Sequence, residues 1–326
     1  MQPATEILTP DANGIARAAD LLRAGKLVAF PTETVYGLGG IATRPDAVAS
    51  IYAAKGRPSF NPLIAHVADL GTARRIAHFS DMAEALAAAF WPGPMTLVLP
   101  LREGHGLAPG VTAGLETVAL RIPAAPVAQR VLERVGQPVA APSANPSGRI
   151  SPTRAEHVIA GLSGRIAAVL DGGACPVGVE STIVATDPAP RILRAGGLSV
   201  EAISAALGQD LAAGPVIEDS TPTAPGQLTS HYAPSKPVRL NATAALDGEV
   251  WLGFGPVAEG QYTLSQSRDL AEAAANLFDM LHNLDDGPHT GIAVAPIPHM
   301  GLGAAINDRL QRAAAPRPRG GTPEAG

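Results

Sequence analysis

The chain alternates two kinds of segment, and that alternation limits its fold more than any single motif does. IARAADLL, Ile15 to Leu22, spaces its apolar residues as an amphipathic helix does and stops at Gly25. The apolar run KLVAF, Lys26 to Phe30, then reads as a strand. A second helix over Asp46 to Ala54 leads to a second strand, PLIAHV, Pro62 to Val67. DMAEALAAAF, Asp81 to Phe90, predicts a helix halted by WPGP, with the strand MTLVLPL beyond it. VALRIP and QPVAAPSA are further strands on either side of the helix PVAQRVLERV, and RILRAGG leads into the short helix VEAISAAL. The pattern specifies an α/β fold around a mixed sheet. At 326 residues and 46% hydrophobic content the chain can bury a full core, and its length favours two domains.

The periodicity breaks between Ala212 and Pro237, where AAGPVIEDSTPTAPGQLTSHYAPSKP is rich in Pro, Ser, Thr and Gly and reads as a linker. Beyond it, PVRL, EVWLGF and GIAVAPI are strands, and SRDLAEAAANLFDMLHNLD and GLGAAINDRLQRAAA are helices, which makes a small second α/β domain. The division is a first domain over 1–208, a linker over 209–236, a second domain over 237–315 and a disordered tail over 316–326. Lys+Arg number 24 against 29 Asp+Glu, a net charge of −5, so no surplus of positive charge is available to hold long nucleic acid. The N-terminus lacks a basic segment followed by an apolar core, and no run of about 18 apolar residues occurs, so a cytoplasmic location without a membrane partner is expected. The single cysteine, Cys175, excludes an internal disulfide framework and a cysteine metal cage, and reads as a small buried residue.

Three stretches carry chemistry. In PTETVYGLG, Pro31 to Gly39, a proline ends a strand and a Gly-x-Gly follows, which suggests backbone turning closely over something small. In AAKGRPSFNP, Lys55 and Arg57 lie two apart, and Pro58 biases Arg57 toward an extended conformation in which both cations face the same side. By itself that pair better suits a solvated surface, and the next stretch tilts the balance. In PVAAPSANPSGR, Ser143 and Asn145 are also two apart, on a loop stiffened by Pro142 and Pro146. A cation pair beside neutral donors on restrained loops fits an anionic substrate bearing a polyphosphate. Neither GxxxxGK[ST] nor a GxGxxG after a strand is present, GLGAAI in the second domain fails that fingerprint, and no DxD or HExxH marks a metal cage.

The ordered set PTETVYGLG, KGRPSFNPLIAHV, WPGPMTLVL, LRIP, PVAAPSANPSG, GVESTIV and ILRAGG resembles the YrdC/Sua5 family. The linker APG…HYAP with a small second domain resembles the longer Sua5 type, so the resemblance reaches to about Ala315. It implies a YrdC-like mixed twisted sheet with helices in a catalytic first domain, plus a smaller Rossmann-like Sua5 C-terminal domain. The activity it implies is L-threonylcarbamoyladenylate synthase, a nucleotidyltransferase. L-Threonine, bicarbonate or CO2, and ATP give threonylcarbamoyl-AMP and pyrophosphate, on the way to N6-threonylcarbamoyladenosine (t6A37) in tRNA.

Residue by residue, the resemblance places Thr34, His66, Arg121 and Ser181 against L-threonine. It places Lys55, Arg57, Asn61, Thr117, Ser143, Asn145, Ser151 and Arg194 against ATP, with Tyr232 reaching in from the linker as a lid residue. Lys55, Arg57, Ser143 and Asn145 would carry the catalytic positioning and charge neutralisation, and ETVALR allows Thr117 a shift of one residue. Taken singly, each has a plainer reading: Thr34 as a strand-end hydroxyl, His66 as a structural hydrogen-bonder, Arg121 in a surface ion pair, Ser181 facing solvent, and Tyr232 as a loop aromatic. Mg2+ would accompany ATP, bridging its phosphates. The downstream partners implied are tRNA threonylcarbamoyl transferase proteins, and direct tRNA contact stays open. One departure is QLTS, Gln227 to Ser230, where the Sua5 linker often carries basic or aromatic residues. The second domain shows no catalytic constellation and reads as regulating the lid or contacting partners. Two rivals are weaker. An RNA-binding maturation factor predicts clustered cations and stacking aromatics, against 4% aromatics here, and a hydrogenase-maturation carbamoyltransferase predicts CxxC pairs, against one cysteine.

Overall fold

The computed structural model describes residues 4–213, 224 and 231–316. Eleven strands make the large sheet: β1 (Glu6–Leu8), β2 (Val28–Pro31), β3 (Tyr36–Ile41), β4 (Ile64–His66), β5 (Met95–Pro100), β6 (Thr117–Arg121), β7 (Val139–Ala140), β8 (Ala168–Leu170), β9 (Thr182–Ala185), β10 (Arg191–Arg194) and β11 (Ala212–Ala213). Their order across the sheet is β1-β8-β2-β3-β7-β4-β6-β5-β9-β10-β11. The sheet is mixed: β2 runs antiparallel to β3, β4 parallel to β6, and β5 antiparallel to β6 but parallel to β9. Long-range pairing brings β4, β6 and β7 side by side, with His66 opposite both Arg121 and Val139.

The helices follow the apolar spacing closely. Those over Asp81–Phe90, Pro126–Val135 and Val200–Leu207 coincide with the predicted segments. The first helix begins earlier than its apolar stripe, at Ala12, because the Asp11 carboxylate accepts the Gly14 amide at 2.8 Å and caps it. Only Val139 and Ala140 of QPVAAPSA stay in a regular ladder. Beyond them Pro142 has no amide to give, although its carbonyl still accepts the Leu38 amide at 2.7 Å.

PTETVYGLG corrects one expectation. The chain turns at residues 32–35, ahead of the glycines, and Gly37 and Gly39 lie within β3. Their role is space rather than positive φ. A Cβ on Gly39 would sit 2.7 Å from a Phe30 ring carbon, and one on Gly37 would sit 3.2 Å from the Ala141 Cβ.

The second domain is a four-stranded parallel sheet, β12 (Val238–Arg239), β13 (Glu249–Gly253), β14 (Tyr262–Thr263) and β15 (Gly291–Val294), in the order β12-β15-β13-β14. Its helices Leu270–Asp286 and Gly303–Ala314 cover the sheet. The apolar core of this domain does not close on itself. Leu277, Phe278, Ile292 and Ile306 continue through Tyr232 of the linker to Val35, Ile150 and Val179 of the first domain. The expected linker covers residues outside those described at 214–223 and 225–230, as does most of the expected tail, 317–326. Among the described residues no helix is long and apolar enough to cross a membrane.

Gly178 is a point of close contact between the domains. Its φ is 75°, and a Cβ there would lie 2.3 Å from the Ala274 carbonyl oxygen and 2.4 Å from the Ala275 Cα, both backbone of the helix Leu270–Asp286. Gly178→Ala combines overpacking with left-handed strain and is expected to destabilise the chain by about 2–4 kcal/mol. Denaturant unfolding monitored by circular dichroism checks this, and an unchanged midpoint would rule out a tight interdomain contact.

Candidate active site

The site is built first from the loop that joins β2 to β3. Thr32 locks this loop: its hydroxyl donates to the Val35 carbonyl at 2.7 Å and accepts the Thr34 and Val35 amides at 3.2 and 3.3 Å. Glu33 and Thr34 are then held against Arg121 at the end of β6. The guanidinium donates to Glu33 Oε1 at 2.6 Å, to Thr34 Oγ1 at 2.9 Å and to the Gly93 carbonyl at 3.2 Å. Glu33 Oε2 accepts the Ala124 and Ala125 amides, at the start of the helix Pro126–Val135. Burial opposes the charge on Glu33, but Arg121 and these amides override it and hold the carboxyl below its usual range. Arg121 is therefore an interior group, not part of a surface ion pair.

His66 stands next to Arg121 in the sheet, and burial with the neighbouring arginine pushes its pKa down to about 3. Its Nδ1 is buried with no hydrogen-bond partner. Ser181, just before β9, shares a 2.7 Å hydrogen bond with Thr96 of β5 and accepts from Arg194 at 3.2 Å through its hydroxyl. Arg194 also donates to the Ser181 carbonyl at 2.9 Å through Nη2. Ser181 is fully buried, so the solvent-facing alternative does not apply.

The cation pair differs from the expected arrangement. Lys55 is the last residue of the helix Pro45–Lys55, and Gly56 turns left-handed with φ 60°, so Lys55 and Arg57 are not neighbours along an extended strand. Lys55 Nζ donates to the Ser143 carbonyl at 2.5 Å and to the Asn145 carbonyl. It braces the Ser143–Asn145 loop from behind and does not line the cavity described below. Burial, then Arg57, lowers its pKa well below the ordinary lysine value. Arg57 does line the cavity, with Nη2 donating to Asn61 Oδ1 at 2.6 Å and to the Pro62 carbonyl at 2.8 Å. Asn61 and Asn145 thus form a second layer behind Arg57 and Ser143.

The linker and the second domain close the remaining side. Tyr232, at φ 61° and almost wholly buried, packs on Phe278 at 5.5 Å between ring centroids. The adjoining Ala233 amide donates to the Gly148 carbonyl at 2.9 Å, which ties the HYAP segment to the first domain. Ser151 gives its hydroxyl to Glu180 Oε1 at 2.5 Å and so supports Glu180 without reaching the cavity. Ala224 packs over Ile64, Val98, Ala119 and Ile183 on the sheet. QLTS, Gln227 to Ser230, lies outside the described residues.

The result is a partly enclosed cavity between the two domains' contributions, lined by cations, hydroxyls and two histidines. Among the expected site residues it brings together Thr34, His66, Arg121 and Ser181 with Arg57, Ser143, Arg194 and Tyr232. Lys55, Asn61, Asn145 and Ser151 stand behind its wall. Thr117, at the far end of β6 from Arg121, is only half-buried and lies away from it. The sequence reading missed Glu180, His231 and Arg309. Glu180 lies beside the quoted Ser181, but no local pattern links either residue to Arg309, more than a hundred positions on. Among the described residues five buried side-chain polar atoms lack a partner, and four belong to or adjoin this site: Asn61 Nδ2, His66 Nδ1, Asn145 Oδ1 and His231 Nδ1. Buried polar groups are normally paired, and His66 and His231 line the cavity, so their two ring nitrogens mark a place where a polar ligand completes the bonding.

Comparison with known proteins places nearly the whole chain beside relatives of known family. A family model described as "Telomere recombination" (Sua5_yciO_yrdC) matches residues 20–196, and one described as "Threonylcarbamoyl-AMP synthase, C-terminal domain" matches residues 198–315. The threonylcarbamoyl-AMP synthase of Bacillus subtilis is 41% identical, with 96% of each chain covered. That of Pyrococcus abyssi is also 41% identical, over 91% of this chain and 92% of the other. The crystal structure of P. abyssi Sua5 complexed with L-threonine superposes with a TM-score of 0.88, at 38% identity, over 95% of this chain and 98% of that one.

Two buried histidines and one half-buried one make stability depend on pH. Burial pushes His66 and His231 down to about 3 and His157 to about 4, against 6.5 for the free side chain. Their folded values lie below their unfolded ones, so the unfolded chain takes up protons first as the pH falls. Stability is full above about pH 6.5 and declines toward pH 4 and below, by about 1.4 kcal/mol per pH unit for His66 and for His231 and by less for the partly exposed His157. Urea unfolding at pH 7 and pH 5 is expected to give a lower midpoint at pH 5. Equal midpoints would mean that these rings are not buried and neutral.

Proposed function

The chain belongs to the Sua5/YrdC family, and from that membership and the chemistry of its cavity we infer the reaction it performs. It is a nucleotidyltransferase that forms threonylcarbamoyl-AMP and pyrophosphate from L-threonine, bicarbonate or CO2, and ATP, for t6A37 synthesis in tRNA. The observation that carries the reading is Arg121. It is buried, held by Glu33, Thr34 and Gly93, and placed in the same cavity as Arg57 and Arg194. Its three hydrogen bonds use three of the five guanidinium hydrogens, which leaves two for a carboxylate. Arg121 with Thr34, His66 and Ser181 makes the threonine end of the site. Arg57, Ser143, Arg194 and Tyr232 make the ATP end, with Lys55 and Asn145 fixing Ser143 and with Asn61 fixing Arg57.

The reaction needs no protein nucleophile. Cys175, the one thiol, is buried and pushed up to about 12 chiefly by that burial, so it is unreactive at neutral pH. The amine of threonine adds to CO2 and loses a proton, giving a carbamate. A carbamate oxygen then bonds to the α-phosphorus of ATP, the bond to the β-phosphate oxygen breaks, and pyrophosphate leaves. Held guanidinium groups stabilise the charge that spreads over the phosphates, and binding both substrates in one cavity supplies proximity. The carbamate and the adenylate are labile in water, and the buried Tyr232 helps exclude it. ATP enters as its magnesium complex, so the ion belongs to the substrate. Among the described residues no group of three or more His, Cys, Asp or Glu side chains is placed to hold a metal. The product passes to tRNA threonylcarbamoyl transferase proteins.

Pyrophosphate release from ATP, Mg2+ and bicarbonate is expected with L-threonine and only weakly with L-serine or no amino acid, and to stop with EDTA. Ser143→Ala is expected to raise the KM for ATP about tenfold while leaving the KM for threonine within twofold. Release that is indifferent to the amino acid would overturn the assignment.

A further inference from the structure

Arg309 is wholly buried, yet it belongs to the last helix of the second domain, Gly303–Ala314. Nε donates to Glu180 Oε2 at 2.8 Å, Nη1 to its neighbour Asp308 at 2.5 Å, and Nη2 to the Ala195 carbonyl at 2.9 Å. The guanidinium carbon also lies 5.0 Å from the centroid of the Tyr232 ring. One side chain thus engages two segments of the first domain and the lid residue. Its two first-domain partners sit directly beside cavity residues: Glu180 precedes Ser181, and Ala195 follows Arg194.

We propose that Arg309 is a positioning residue for the adenylate-forming site: it clamps Glu180 and the Ala195 carbonyl from behind, so that Ser181, Arg194 and Tyr232 face the substrates. The backbone shows how close this packing is. Gly197 donates its amide to the Glu180 carbonyl at 2.8 Å, and a Cβ on Gly196 would lie only 2.3 Å from that same oxygen. Gly-Gly therefore lets the two segments touch, and Arg309 joins them through side chain and carbonyl together.

Charge gives the clamp a second effect. Burial alone would raise the Glu180 pKa, but Arg309 first, then Arg194 and the Ser151 hydroxyl, pull it down to about 2, so the residue stays a carboxylate. Remove Arg309, and the cation that acts most strongly on Glu180 is Arg194, which lines the cavity. Glu180 then draws Arg194 away from the phosphates. Arg309 in this way keeps a buried carboxylate from competing with the nucleotide for an arginine. The second domain acts on the reaction through this contact.

The proposal rests on the synthase reading, and its test separates the two. Arg309→Met keeps the volume but drops the charge. The KM for ATP is expected to rise about thirtyfold, with the KM for threonine changed much less. Adding Glu180→Gln to Arg309→Met removes the stray carboxylate and is expected to recover most of that loss, a non-additivity that general destabilisation would not give. Arg309→Lys, which keeps the charge but not the fork, covers the case in which the methionine variant does not fold, and should fall between wild type and Arg309→Met. Hydrogen exchange at the Ala233 amide, bonded to Gly148 in the intact lid, is expected to quicken at least tenfold in the folded single variants, and this readout does not depend on catalysis. A wild-type protein without threonine-dependent pyrophosphate release would overturn the synthase reading. Unchanged Ala233 exchange and an unchanged KM for ATP in a folded Arg309 variant, or a double variant no better than the single one, would overturn the clamp.

Discussion

Around one cavity the fold removes five cationic side chains from water, Lys55, Arg57, Arg121, Arg194 and Arg309, and buries only two carboxylates, Glu33 and Glu180, with them. Among the described residues these are all the buried Lys, Arg, Asp and Glu side chains, and their imbalance sets the terms for everything nearby. A buried charge without a partner is costly, so each cation must find oxygen. Lys55 takes the carbonyls of Ser143 and Asn145, Arg57 takes Asn61 and the Pro62 carbonyl, and Arg121 and Arg309 take the two carboxylates. The carbonyl-bound pair shows the strain of this arrangement, since burial pulls Lys55 well below its usual pKa and Arg57 down to about 10. An anionic ligand supplies the missing charge, which is why the site suits a triphosphate and why substrate binding should also stabilise the fold.

The same constraint explains the architecture. The Ser143 and Asn145 carbonyls are free for Lys55 because their loop does not continue a ladder, and the prolines of PSANPS end the regular pairing of β7 after two residues. The two carboxylates are each held at both oxygens, Glu33 by Arg121 and the amides of Ala124 and Ala125, Glu180 by Arg309 and Ser151. Each such carboxylate joins distant parts of the chain, so the charges serve as connectors as well as recognition groups. The second domain enters the catalytic one through both kinds of force: an apolar core that runs from Phe278 and Leu277 through Tyr232 to Val35, Ile150 and Val179, and charge, the buried Arg309 on Glu180 and Asp279 on Arg154 at 2.7 Å.

Much of the fold was legible because it rests on local periodicity. The helices over Asp81–Phe90, Pro126–Val135 and Val200–Leu207 fall where their apolar spacing and flanking Pro or Gly put them. Residues read in pairs fared less well. Lys55 and Arg57 were expected to project together from an extended segment, yet a helix end and a left-handed glycine separate their roles, one bracing a loop and the other lining the cavity. Gly37 and Gly39 suggested a turn, but they sit within β3, where Ala141 and Phe30 leave no room for a side chain. Thr117 shares a strand with Arg121, but the strand's length carries it away from the cavity.

By itself the sequence determined the α/β alternation and the polar side chains it offers to a site, because spacing, turn chemistry and side-chain type are properties of short segments. Tertiary structure alone decided which of those residues meet. Arg121 finds Glu33 across 88 positions, and Arg309 finds Glu180 across 129. Those partners are selected by the need to neutralise buried charge, a need that exists only once the sheet, the linker and the second domain have together shut out water.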